Sequence, residues 1–201
     1  MTRIKVCGLT RIEDLELALE LGVHAVGLNF VPGTPRALER GRARELALRA
    51  ADRTLRVGVF RDAPREWVLE IAREVGLDGI QLHGAEPPEY AAAMPLPVIK
   101  ALRATSEALA HADDFDRADL LVDHPSGGGS GQGVDAAVVD PLFTSGRRVW
   151  LAGGLRPENV RAAIQGLRPY GVDAASGLEQ SPGIKDPDRL RSFVAEVRAA
   201  G

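Results

Sequence analysis

Ile4-Lys5-Val6-Cys7-Gly8-Leu9-Thr10 decides how the rest of the chain is read. Ile4 and Val6 alternate with Lys5 and Cys7, the period of an extended strand. Gly8 ends the run. Thr10 is a residue type that caps helix starts, and it precedes a helical pattern over 11–21. A strand running straight into a helix is one βα unit of a parallel sheet. It puts the single cysteine of the chain at the carboxyl end of the first strand.

The same unit recurs along the chain. Strand patterns fall at 4–7, 25–30, 55–60, 79–83, 98–101, 120–123, 149–152 and 172–176. Helical patterns fall between them at 37–51, 64–75, 86–94, 106–112, 134–143 and 157–166, and after the last at 187–199. Pro64 occupies the first turn of its helix in this reading. Alternation of this kind predicts a parallel sheet, and eight uninterrupted repeats predict closure into one (βα)8 TIM barrel over residues 1–201. The glycine run at 127–131 reads as a loop, because the alternation continues beyond it.

Composition agrees with one soluble domain. The chain has 201 residues, 45% of them hydrophobic, enough for a single sizeable core. A net charge of −3 offers no basic surface for nucleic acid or an anionic membrane. One cysteine makes no internal disulfide, no apolar run reaches about 18 residues, and the start lacks a signal-peptide core, so a cytoplasmic protein is expected. No exposed apolar stripe marks an interface, so the expected state is a monomer.

The apolar residues of each strand set which side chains enter the barrel. Ile4 and Val6 face the helices, so Lys5 and Cys7 turn inward. By the same rule Asn29, Gln81, His83, Asp123 and Asp173 point in; Ile99 is placed outward, which turns Lys100 inward. This is a polar interior where Val, Ile and Leu are common. For the mid-strand residues Lys5, Asn29, Gln81, Lys100 and Asp173, an internal hydrogen-bond network that fixes register explains it as well as function does.

Cys7 and Asp123 are different, because they end strands one and six, roughly opposite each other at the rim where such barrels carry their active sites. A thiol and a carboxyl facing one ligand suit a base and an acid working on neighbouring atoms. Against this, free cysteine is often a small buried hydrophobe, and Asp123 could be a turn residue before Pro125. Glycines cluster late: Gly127-Gly128-Gly129-Ser130-Gly131 after strand six, Gly153-Gly154 after strand seven, Ser176-Gly177 after strand eight. Backbone N–H groups in such turns cradle phosphate, and the last two loops are the usual phosphate site of the fold. Ordinary turns that need positive φ would use the same residues. Arg36, in Pro32-Gly33-Thr34-Pro35-Arg36, sits on a proline-stiffened loop and could take a carboxylate, though arginine is abundant here and a solvated role fits it equally.

The whole chain resembles the phosphoribosylanthranilate isomerase family of tryptophan biosynthesis. The resemblance rests on Lys5-Val6-Cys7-Gly8-Leu9-Thr10, Gly27-Leu28-Asn29-Phe30 with Pro35-Arg36, Val57-Gly58-Val59-Phe60, Gln81-Leu82-His83-Gly84 and Val98-Ile99-Lys100-Ala101. It continues through Leu121-Val122-Asp123 with Gly129-Ser130-Gly131, Leu151-Ala152-Gly153-Gly154-Leu155 with Pro157-Glu158-Asn159-Val160, and Gly171-Val172-Asp173 with Ser176-Gly177-Leu178-Glu179 and Gly183-Ile184-Lys185-Asp186. It implies a (βα)8 barrel that performs an Amadori rearrangement of N-(5-phosphoribosyl)anthranilate without metal or organic cofactor. It implies Cys7 as general base, Asp123 as general acid and Arg36 on the anthranilate carboxylate. Gly153, Gly154, Ser176 and Gly177, with Gly129 and Gly131, would hold the phosphate. Asp173 would orient the aminosugar or the anthranilate, and His83 would line the mouth. Lys5 would favour the Cys7 thiolate.

The chain departs from the family pattern at Gly133-Val134-Asp135-Ala136, where an aromatic pair is usual, and at Gly33-Thr34, where a basic residue and Ser are common. Two other readings remain at this point. One is the sister Amadori isomerase of histidine biosynthesis, or a bifunctional form, against which Cys7 argues because that family ends strand one with Asp. The other is a catalytically silent barrel that only binds a phosphate ligand.

Overall fold

The computed structural model describes residues 1–123 and 136–201, without the side chains of 136 and 137. Eight strands close a barrel: β1 (Arg3–Cys7), β2 (Ala25–Asn29), β3 (Leu55–Phe60), β4 (Gly79–Leu82), β5 (Val98–Arg103), β6 (Asp119–Asp123), β7 (Val149–Ala152) and β8 (Gly171–Ala174). Each pairs in parallel with the next, and β8 returns to β1 with Lys5 beside Asp173. Helices α1 (Ile12–Glu20), α2 (Arg40–Ala50), α3 (Arg65–Val75), α4 (Pro88–Ala92), α5 (Ser106–Leu109), α6 (Ala136–Thr144), α7 (Pro157–Leu167) and α8 (Pro187–Ala199) lie between the strands and after the last. No helix among the described residues is long and apolar enough to cross a membrane.

Two apolar layers separate by strand parity. Ile4, Val6, Val26, Leu28, Ile80, Leu82, Leu120, Val122 and Val172 pack outward beneath the helices. Inside, Ala25, Val57, Ile99, Leu121 and Trp150 form a compact floor with Ala101 and Ala152. Trp150 fits because Gly171 beside it has no side chain; a Cβ there would run into the indole. The polar inward residues lie above this floor, toward the carboxyl ends of the strands.

Strand five corrects the parity read from sequence. Ile99 belongs to the interior floor and Lys100 points outward. Val98 and Leu102 both enter the helix-facing core, and Lys100 shares their face. Its ammonium is accommodated by Glu86 Oε2 and the Gly84 carbonyl, each 2.7 Å away, and by the Phe115 ring at 5.5 Å. A buried partner of opposite charge thus replaces the expected place inside the barrel.

Several helix starts also differ from expectation. Arg11, not Thr10, precedes α1, and the Thr10 hydroxyl instead donates to the Gly183 carbonyl at 2.5 Å. Pro64 sits just before α3 rather than within its first turn. α4 begins at Pro88 behind Pro87 and is five residues long, and the chain after α5 tightens into a 3-10 turn at Ala112–Asp114. After β8 the chain makes a 3-10 turn at Ser176–Leu178 and a small antiparallel pair, β9 (Glu179–Ser181) and β10 (Ile184–Lys185), before α8. The expected eighth strand therefore stops at Ala174, and the hairpin was not anticipated.

Candidate active site

A cavity of about 220 Å³ opens at the carboxyl ends of the strands. Cys7, Arg36, His83, Asp123, Asp173, Gly153, Gly154 and Ser176 all line it. Gly177 adjoins the last of these; Gly129 and Gly131 lie outside the described residues, as does most of the Gly133–Ala136 departure. Asn29, Gln81 and Arg61 line it too; Arg61 carried no signal in sequence beyond its place after strand three.

Cys7 reaches the cavity because β1 parity turns it inward and Gly27 makes room for it. A Cβ on Gly27 would lie 2.6 Å from the Cys7 sulfur and 3.1 Å from the Lys5 ammonium. Lys5 is fully buried and donates to Asp173 Oδ2 at 2.8 Å. Burial pulls the Lys5 pKa down, but Asp173 and Cys7 outweigh it, so the ammonium is held charged above its usual range. For Cys7 the balance runs the other way. Burial pushes the thiol up; Lys5 and Lys185 draw it back, Asp173 opposes them, and the net shift is upward. Lys5 thus draws Cys7 toward the thiolate, and burial outweighs it. Asp173 Oδ1 is buried with no partner among the described residues.

Asp123 stands across the mouth at the end of β6. Its Oδ2 lies 3.1 Å from His83 Nε2, and His83 Nδ1 lies 3.1 Å from Gln81 Nε2. An amide nitrogen only donates, so Nδ1 accepts and Nε2–H donates to Asp123. The three side chains form one hydrogen-bonded line from the buried Gln81 to the rim. The Asp123 side chain is 38% exposed, at the open rim of the cavity.

Arg36 lies against Gly8, whose φ of +71° and missing side chain let the arginine stem pass. Its Nε and Nη2 donate to the two oxygens of Glu179 at 2.7 and 2.6 Å. The side chain is 23% exposed and still lines the cavity. The hydrogen bond to Glu179 raises the Arg36 pKa, so the guanidinium carries a fixed charge. Sequence reading did not foresee this partner, which comes from 143 positions away.

The late glycine turns are built to one shape. Gly153 and Gly154 have φ of +89° and +60°, which a side chain would strain. Asn159 holds them: its Nδ2 donates to the Gly154 carbonyl at 3.1 Å, and its Oδ1 accepts from the Arg156 N–H at 2.8 Å. A Cβ at Gly177 would collide with the Leu155 carbonyl, so the two turns fit only with glycine there. Gly153, Gly154, Ala175 and Ser176 line the same cavity, and glycine turns of this kind can offer backbone N–H groups to an anion.

Comparison with known proteins adds the chemistry of relatives. Residues 4–196 match the family model described as N-(5′-phosphoribosyl)anthranilate isomerase. A relative of that name from Myxococcus xanthus is 46% identical, covering 98% of this chain and 96% of the relative. The crystal structure of phosphoribosyl anthranilate isomerase from Thermotoga maritima superposes with a TM-score of 0.92 at 37% identity, covering 99% of this chain and 100% of that one. Another crystal structure of such an enzyme, in complex with reduced 1-(o-carboxyphenylamino)-1-deoxyribulose 5-phosphate, superposes at 0.90 with 35% identity and the same coverage.

Proposed function

The chain belongs to the N-(5′-phosphoribosyl)anthranilate isomerase family, and from that premise we propose that it converts N-(5′-phosphoribosyl)anthranilate to the 1-deoxyribulose 5-phosphate derivative in tryptophan biosynthesis, with Cys7 and Asp123 as its acid-base pair. The observation that carries the assignment of residues is that one cavity holds a thiol, a carboxyl, a guanidinium and two glycine turns.

Asp123 protonates the furanose ring oxygen as the C1′–O bond breaks, and the anthranilate nitrogen forms a Schiff base with C1′. The cationic imine acidifies the C2′ proton, which Cys7 removes. The resulting enolamine tautomerises to the ketone. Arg36 takes the anthranilate carboxylate as a charge-assisted pair. Gly153, Gly154, Ser176 and Gly177, with Gly129 and Gly131, take the phosphate. Asp173 orients the aminosugar or the anthranilate, and His83 lines the mouth.

The reading extends to a single domain over residues 1–201 that works in the cytoplasm as a monomer on a small-molecule substrate, without nucleic acid. Apart from Met1, only Leu48 and Leu55 are strongly exposed among the large hydrophobics of the described residues, which supports the monomer. Sedimentation velocity tests it.

The test of the reaction is loss of anthranilate fluorescence from freshly made substrate. Cys7→Ser and Asp123→Asn each remove most turnover while the far-UV dichroism stays unchanged. Near wild-type rates in both variants would discard the acid-base assignment.

A further inference from the structure

Glu179 and Lys185 sit on the β9–β10 hairpin, which lies outside the barrel closure and has no part in the acid-base steps. Both are buried, at 8% and 1% exposure. Glu179 accepts from Arg36 Nε and Nη2 and, at 3.0 Å, from Lys185 Nζ. Lys185 Nζ also donates to the carbonyls of Cys7 at 2.7 Å and Ala175 at 3.1 Å. The hairpin touches the neighbouring rim loops as well. The Thr10 hydroxyl donates to the Gly183 carbonyl, and a Cβ on Gly183 would lie 2.8 Å from the Pro35 carbonyl. One strap thus ties together the ends of β1 and β8 and the loop that carries Arg36.

We propose that Glu179 is a positioning residue for carboxylate recognition, acting through Arg36. The inference rests on Arg36 as the carboxylate anchor. A free arginine side chain has many rotamers, and ordering one on binding weakens affinity. Here the Nε/Nη2 fork is already taken, so the side chain is held over Gly8 before any ligand arrives, and Nη1 stays outside the pair. An incoming carboxylate meets the guanidinium from its Nη1 edge. An isolated Arg–Glu pair would be neutral overall and would attract a second carboxylate less than a free guanidinium does. Lys185 restores the balance: two cations and one anion leave a single positive charge. Burial pushes the Glu179 carboxyl up, and Arg36 with Lys185 more than reverse it, so Glu179 stays ionised while it holds Arg36.

The experiment compares N-(5′-phosphoribosyl)anthranilate with the aniline counterpart that lacks the carboxylate. Glu179→Gln keeps shape and one acceptor but loses the charge. Its kcat/KM on the anthranilate compound falls about tenfold more than on the aniline compound, mainly through KM. The double variant Arg36→Ala with Glu179→Gln is no worse on the anthranilate compound than Arg36→Ala alone. Glu179→Asp, which keeps the charge and withdraws it by one methylene, shows the same substrate-dependent loss and serves if the Gln variant does not fold. Equal losses on the two substrates, no loss in either Glu179 variant, or additivity with Arg36→Ala overturns the proposal, because each describes a residue that does not work through Arg36. If Arg36→Ala itself fails to separate the two substrates, the anchor assignment falls and takes the proposal with it. If Arg36→Ala separates them and the Glu179 variants do not, the positioning role alone is wrong.

Discussion

His83 Nε2 stands 3.1 Å from Asp123 Oδ2, and the far side of the same imidazole is held by Gln81. The histidine therefore has one tautomer available while Gln81 donates to it, and its Nε2–H is directed at Asp123. Gln81→Leu, near in size and unable to donate, releases the imidazole. It lowers kcat about tenfold, as small misplacements of a reacting group do. His83→Ala removes the same line at its second link. The paired variant is no slower than His83→Ala alone if the three residues act as one unit. Steady-state kinetics on the four proteins measures this, and additive losses would show that Gln81 and His83 contribute separately.

The Cys7 thiol gives a pH prediction. Burial raises its pKa, and the base proposed at Cys7 works only when deprotonated, so kcat/KM rises with pH on an alkaline limb that Cys7 governs. Lys5 is the largest influence drawing the thiol down. Lys5→Met alone would leave Asp173 buried and unpaired, a cost of about 3–5 kcal/mol in stability. Lys5→Met with Asp173→Asn removes both charges, but the lysine effect is the larger. The rising limb therefore moves to higher pH and the rate at pH 7 drops. The pH dependence of iodoacetamide alkylation at Cys7 moves the same way. A limb that moved to lower pH would reverse the assigned roles of Lys5 and burial.

Lys100 is a stability residue because it faces the helices. Its pair with Glu86 at 2.7 Å is almost fully shielded, at 3% and 2% side-chain exposure. Lys100→Met strands the Glu86 charge and costs about 3–5 kcal/mol, while Lys100→Met with Glu86→Gln recovers part of it, since the amide oxygen can still accept from Asp62 or Gly84. Urea unfolding reads both. An inward Lys100 would instead have changed substrate binding more than stability.

That residue shows where sequence reading succeeds and fails. In β1, β4, β6 and β8, paired aliphatic residues two apart face the helices and fix the parity of Cys7, His83, Asp123 and Asp173. In β5 the apolar residues are contiguous, Val98-Ile99 before Lys100 and Ala101-Leu102 after it, so either parity satisfies the pattern. Placing Ile99 outward turns the lysine inward. The Glu86 carboxylate and the Gly84 carbonyl, both from the β4–α4 loop, make the outward choice stable. The Arg36–Glu179 pair escaped for a related reason. Local periodicity carries no information about a partner 143 residues away, and two strands of three and two residues are too short to show a period. The glycine turns were visible as glycines, but the side chain that holds one of them, Asn159, was visible only as part of a resemblance.

Asn159 supplies the last prediction. Its amide bridges the Gly154 carbonyl and the Arg156 N–H, so it fixes the angle at which the Gly153-Gly154 turn enters α7. A phosphate bound there is held by backbone donors, whose directions depend on that angle. Asn159→Ala leaves the donors in place but removes what orients them, and one such lost pair of hydrogen bonds is worth about 1–2 kcal/mol. The inhibition constant for inorganic phosphate and the KM for substrate therefore both rise about tenfold. The acid-base pair is untouched, so kcat changes far less than KM. Asn159→Asp keeps the acceptor for Arg156 and loses the donor to Gly154, and it places a negative charge near the phosphate, so it is the worse of the two. If phosphate inhibits both variants as strongly as the parent protein, the phosphate does not sit on this turn.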